Sequence, residues 1–133
     1  MSELVLDASA AIRLTLGHPD VTPQLLDSLT AADHVLAPRL FFSEVGNALW
    51  KYVRSGGLSE AEALERLREA KALVSLTVDD AELIEEALVA AVRFDHPVYD
   101  AVYAVLARRR SCAVVTMDRR LVSLLKTMRV DSI

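Results

Sequence analysis

Four acidic residues stand apart from the rest by their neighbours. Asp7 directly follows the apolar run Leu4-Val5-Leu6, and Asp118 follows Ala113-Val114-Val115-Thr116-Met117. Glu44 is flanked by Phe41, Phe42 and Val45, and Asp100 lies inside Val98-Tyr99-Asp100-Ala101-Val102-Tyr103. An unpaired carboxylate in apolar surroundings costs several kcal/mol, so these positions call for a purpose. Carboxylates brought together raise one another's pKa values. The natural compensation is a divalent cation such as Mg²⁺ or Mn²⁺, which prefers hard oxygen ligands and keeps several waters. Such a site suits phosphodiester hydrolysis: one ion activates a water, a second stabilises the leaving oxygen, and a carboxylate can act as general base. Ser9 and Thr116 would offer hydroxyls close to the ions, and Asn47 shares a helix face with Glu44. Taken alone, Asp7 or Asp118 reads first as the N-cap of the helix after it, and Glu44 fits a surface position equally well. The conjunction of all four with Asp100 favours a shared site.

The elements that must bring them together follow from periodicity and punctuation. Strands are expected at Leu4–Leu6, His34–Ala37, Val74–Val78 and Ala113–Thr116, with another starting near Val130. Helices are expected over 8–16, 20–32 (apolar stripe Leu25, Leu26, Leu29), 40–55, 59–73, 79–94, 98–110 and 118–128. Gly17, Gly56-Gly57 and the Ser59/Glu62 capping-box pattern mark helix ends. In the helix over 40–55, Phe41, Val45, Ala48, Leu49 and Tyr52 share one face, and in the next Ala61, Leu64, Leu67 and Leu73 supply the apolar positions. Continuously apolar strands alternating with helices mean a parallel sheet covered on both faces. The expected fold is an α/β, three-layer α/β/α sandwich with a central parallel sheet of four to five strands, one domain over 1–133. Right-handed crossovers put the carboxyl ends of the strands along one edge, where ligand sites in open α/β sheets lie. Asp7 and Asp118 end strands at that edge, and Glu44 sits within ~10 Å of it on its helix. Asp100 opens the helix that returns to the last strand.

Composition excludes other classes. The 133 residues are 53% hydrophobic and 26% charged, too apolar for a disordered chain. The net charge of -4 excludes a simple polybasic nucleic-acid binder. The single cysteine, Cys112, excludes a disulfide framework or a Cys-rich zinc site and fits a reducing, cytoplasmic setting. No run approaches the ~20 apolar residues that cross a bilayer, and the start of the chain lacks the pattern of a signal peptide. His18, His34 and His96 show no metal-ligand spacing. Trp50 and Tyr52 read as core packing or as an interface. Arg119 and Arg120, directly after Asp118, are candidates to meet phosphates; Arg108–Arg110 suit a helix C-terminus.

Four segments together resemble PIN domains. Leu4-Val5-Leu6-Asp7-Ala8-Ser9-Ala10 is similar to the first motif, and Ser43-Glu44-Val45-Gly46-Asn47-Ala48-Leu49 to the second. Tyr99-Asp100-Ala101-Val102-Tyr103-Ala104 resembles the third, and Val115-Thr116-Met117-Asp118-Arg119-Arg120-Leu121 the fourth. They occur in the family's order, and the length is most similar to VapC toxins of type II toxin–antitoxin systems. The resemblance implies a Mg²⁺- or Mn²⁺-dependent endoribonuclease acting on structured RNA, with Asp7, Glu44, Asp100 and Asp118 as its catalytic and metal-site acids. It also implies inhibition by a small antitoxin protein, and a homodimer. The stretch Arg108-Arg109-Arg110-Ser111-Cys112 lacks the glycine often found before the fourth motif. The alternatives are a non-catalytic interaction module of the same fold and a small-molecule phosphohydrolase. A phosphoacceptor domain would need an acidic pair after the first strand, which Asp7 does not have.

Overall fold

The computed structural model describes residues 2–133. Its elements are β1 (Glu3–Leu6), α1 (Ala8–Leu16), α2 (Pro23–Ala31), β2 (His34–Pro38), α3 (Leu40–Arg54), α4 (Glu60–Leu73), β3 (Leu76–Val78), α5 (Asp80–Phe94), α6 (Val98–Arg110), β4 (Ala113–Val115) and α7 (Arg119–Met128). All strand pairs are parallel, in the order β3-β2-β1-β4. Right-handed crossovers then place α1–α4 on one face and α5–α7 on the other. The packing agrees: α1 meets α3 and α4, while α6 meets α5 and α7 and lies on β1, β2 and β4. The chain leaves β1 toward β2 and leaves β4 the opposite way, so the sheet reverses direction between β1 and β4. That is where a crevice opens at the carboxyl edge of such a sheet.

Burial follows the chemistry of each element. Val5, Leu6, Leu36, Val114 and Val115 are sealed between the helical layers. α6 is buried continuously from Ala101 to Leu106 and Ala107, which explains its alanine and valine on nearly every side. Ser59 and Glu62 form the expected capping box on α4.

Several local expectations are revised. α2 begins at Pro23 with Thr22 as its cap, because proline is accommodated at the first helical position and Thr22 supplies the acceptor. In α2 only Leu25 is buried and Leu26 is exposed; in α4 Ala61 and Leu64 face outward while Ala70 is buried. Tyr52 and Trp50 of α3 are also exposed, with Arg54 stacked over the Trp50 ring at 4.5 Å. β3 is shorter than expected, and the segment after Val130 forms a single parallel bridge, Ser132 to Val114, rather than a strand. The turn after α6 holds Ser111 with φ 52°, the left-handed region that glycine enters without strain.

Candidate metal centre

Asp7, Glu44, Asp100 and Asp118 all line one cleft of about 500 Å³ at the carboxyl edge of the sheet. Asp7 is delivered by β1, whose last residue precedes it, and it caps α1 by accepting from the Ala10 N–H at 2.9 Å. Asp118 is the N-cap of α7 and accepts from the Arg120 N–H at 2.9 Å. Both are therefore caps as well as cleft residues, since a helix start is the place where a strand end can present a carboxylate. Glu44 projects from α3, and Asp100 from the first turn of α6.

The hydroxyls serve the scaffold. Ser9 Oγ donates to Asp7 at 2.8 Å and Thr116 Oγ1 donates to Asp7 Oδ2 at 2.6 Å. Their oxygens in turn accept from the backbone N–H groups of Met117 and Asp118, each at 3.0 Å. The two side chains stitch the start of α1 to the turn after β4, so the positions of Asp7 and Asp118 are tied together. Both hydroxyls thus sit beside Asp7, as expected: Ser9 lines the cleft, while Thr116 is buried and its proton is committed to Asp7. Asn47 lines the cleft one turn beyond Glu44, as its spacing requires.

Burial and proximity act on the carboxyls. Asp7 is only 4% exposed, and loss of solvent lifts its pKa to about 6, against the lowering effect of its hydroxyl and amide donors and with a further rise from Asp118. Glu44 is pushed up to about 7 by burial, opposed by Tyr103 and reinforced by Asp7, Asp100 and Asp118. Asp100 is raised by burial and by Asp118, with Arg120 and His96 pulling the other way. Among the described residues, none of the four carboxylates makes an ion pair with a lysine, arginine or histidine.

The donor set suits a hard cation. Among the described residues, the second oxygens of Glu44 and Asp118, and both of Asp100, receive no hydrogen bond. Among the described residues no three acidic, histidine or cysteine side chains are placed closely enough to hold a metal ion by themselves. The free carboxylate oxygens are hard donors of the kind Mg²⁺ or Mn²⁺ prefers, with water completing the coordination.

Basic groups occupy two places. Arg13 and Lys51 line the carboxylate cleft itself, Lys51 two turns along α3 from Glu44. Arg119 and Arg120 line a neighbouring hollow with His96, whose Nε2–H donates to the Arg120 carbonyl at 2.9 Å. Sequence reasoning missed Lys51, although its spacing of seven from Glu44 places it on the same face. Arg108 and Arg109 pair with Glu86 and Arg110 with Glu3, the ordinary surface role expected of them.

Comparison with known proteins identifies the family and the fold. The sequence matches the PIN domain family over residues 4–125. It is 34% identical over 121 residues to Ribonuclease VapC3 of Pyrobaculum aerophilum, covering 90% of this chain and 92% of that protein. The crystal structure of PAE2754 from Pyrobaculum aerophilum superposes with a TM-score of 0.77 at 27% identity, over 98% of this chain and 83% of that one. VapBC2 from Rickettsia felis, crystallised with a DNA fragment from its promoter, shares the fold at a TM-score of 0.67 and 12% identity, over 98% of this chain and 97% of that one. The chain belongs to the PIN-domain family and is VapC-like.

Proposed function

We propose that this protein is a Mg²⁺- or Mn²⁺-dependent endoribonuclease, the toxin of a type II toxin–antitoxin pair. The observation that carries the reading is that Asp7, Glu44, Asp100 and Asp118 line one cleft, none of them ion-paired with a basic side chain among the described residues. A divalent cation, when bound, supplies water activation and charge neutralisation on the phosphate. Asp7, Asp118, Asp100 and Glu44 hold it, Asp7 being the most rigidly placed through Ser9, Thr116 and Ala10. Asp100 has two free oxygens and is suited to accept a proton from the attacking water. Arg13 and Lys51 orient the phosphodiester backbone from the side of the cleft, and Arg119 and Arg120 meet a neighbouring phosphate of a structured RNA. No protein nucleophile is required.

The partners follow the same reading. The name of the VapC3 relative and the VapBC2 assembly support a protein antitoxin, and an apolar groove of about 350 Å³ between α3 and α4, walled by Trp50 and Leu64, is a surface suited to receive one. The exposed stripe Ile84, Leu88 and Val92 on α5 supports a homodimer. The substrate implies action in the cytoplasm; no helix among the described residues is long and apolar enough to cross a membrane.

The test is induced expression followed by mapping of new RNA ends, with Asp7→Asn as control, and cleavage by purified protein in Mg²⁺ or EDTA. New ends with the wild type alone, abolished by EDTA in vitro, are expected. Equal cleavage by the purified Asp7→Asn variant would overturn the reading.

A further inference from the structure

Tyr103 belongs to the fully packed stretch of α6 and is 3% exposed. A phenol buried to that degree must find an acceptor for its proton. Three residues after Asp100, it lies on the same face of α6. Its hydroxyl crosses from that helix to α3 and donates to Glu44 Oε1 at 2.6 Å. That length is in the range of a charge-assisted O–H···O⁻ bond, about twice as strong as a neutral one. One side chain thus links two of the elements that build the cleft, α3 and α6.

The need for such a device is visible in Glu44 itself. Asp7 and Asp118 are short side chains fixed by their own helix caps. Glu44 has one more methylene, and Tyr103 is its only side-chain hydrogen-bond partner among the described residues. A free glutamate loses roughly 1.5–2 kcal/mol of rotamer entropy when ordered, and that ordering has to come from somewhere.

We propose that Tyr103 is the positioning residue for Glu44: its hydroxyl engages one carboxylate oxygen and so presents the other, Oε2, to a divalent cation in the cleft. The role rests on the reading of the cleft as a metal site. Tyr103 does not itself touch the cation; it acts through Glu44, in the way that outer hydrogen bonds orient metal-binding carboxylates generally.

The test is Mn²⁺ titration calorimetry on the purified full chain as wild type, Tyr103→Phe, Glu44→Gln and the double variant, with thermal melts of each in EDTA. Tyr103→Phe is expected to weaken Mn²⁺ binding roughly 10–100-fold while lowering the metal-free melting temperature by no more than about 9 °C, the loss of one charge-assisted hydrogen bond. In the Glu44→Gln background the same change is expected to add no more than about a twofold loss, because the residue it acts through no longer carries a carboxylate. Wild-type affinity in Tyr103→Phe would overturn the proposal and leave the metal site standing. So would a full additional loss in the Glu44→Gln background, or a larger fall in metal-free melting temperature, which marks a packing role. Absence of Mn²⁺ binding by the wild type would overturn both the proposal and the metal site beneath it.

Discussion

Replacing Asp7 by asparagine separates the two demands made on this residue. Its carboxyl is buried, and burial raises its pKa from 3.8 to about 6. A group whose folded pKa is raised holds its proton more tightly in the native state. Its stabilising contribution is therefore complete below about pH 4 and is lost as pH rises through about 6. At ~1.4 kcal/mol per pKa unit, the ionised carboxylate weakens the metal-free fold by about 3 kcal/mol above pH 7. Asparagine carries no charge at any pH and remains a good N-cap toward Ala10. It gives up one acceptor, so Ser9 or Thr116 must turn, at about 1 kcal/mol. The net expectation in EDTA at pH 8 is a variant about 2 kcal/mol more stable than the wild type, raising the melting temperature by roughly 6 °C. Below pH 4 the advantage disappears, and the difference between the two proteins removes the titration of groups not coupled to Asp7. Nuclease activity is expected to be lost throughout. Urea unfolding of both proteins in EDTA from pH 4 to 8 measures this directly. A variant less stable than the wild type at pH 8, or a difference that does not grow with pH, would refute the argument that Asp7 is held charged against the preference of the fold.

Other outcomes follow from the same structure. Mg²⁺ or Mn²⁺ at about 100 times its dissociation constant should stabilise the wild type by ~3 kcal/mol, and the gain should shrink in Asp100→Asn; scanning calorimetry checks both. Ser111→Gly should raise stability by roughly 0.5–1 kcal/mol in urea unfolding, because it removes the Cβ from a left-handed cap, whereas Ser111→Val should lower it. Lys51→Ala should raise KM for RNA about 3–10-fold with a smaller effect on kcat, since an amine beside the carboxylates binds phosphate in ground and transition states alike; steady-state cleavage kinetics at fixed salt measure the split.

The parts of the molecule legible in the sequence were those dictated by local pattern. Apolar strands ending in Asp7 and near Asp118 imply both the parallel sheet and the edge where those acids meet, and the buried run of α6 shows in its lack of any polar face. What could not be read depends on which neighbour covers a given face. Leu26 and Leu64 have the spacing of core residues and are exposed because no element among the described residues covers that side of their helices. The hydroxyls of Ser9 and Thr116 were placed near the right carboxylate, but the direction of their protons is decided by the nearest buried acceptor, Asp7, which only the folded geometry supplies. Tyr103 lay in plain view three residues from Asp100, yet its link to Glu44 spans 59 residues and leaves no local trace.

The central claim is that Asp7, Glu44, Asp100 and Asp118 share a divalent cation in one cleft. Anomalous diffraction from crystals grown with Mn²⁺ tests it without recourse to activity. The account predicts a Mn²⁺ peak between Asp7, Asp100 and Asp118, within reach of Glu44, at the carboxyl edge between β1 and β4. Mn²⁺ bound elsewhere with that cleft holding only water would contradict it.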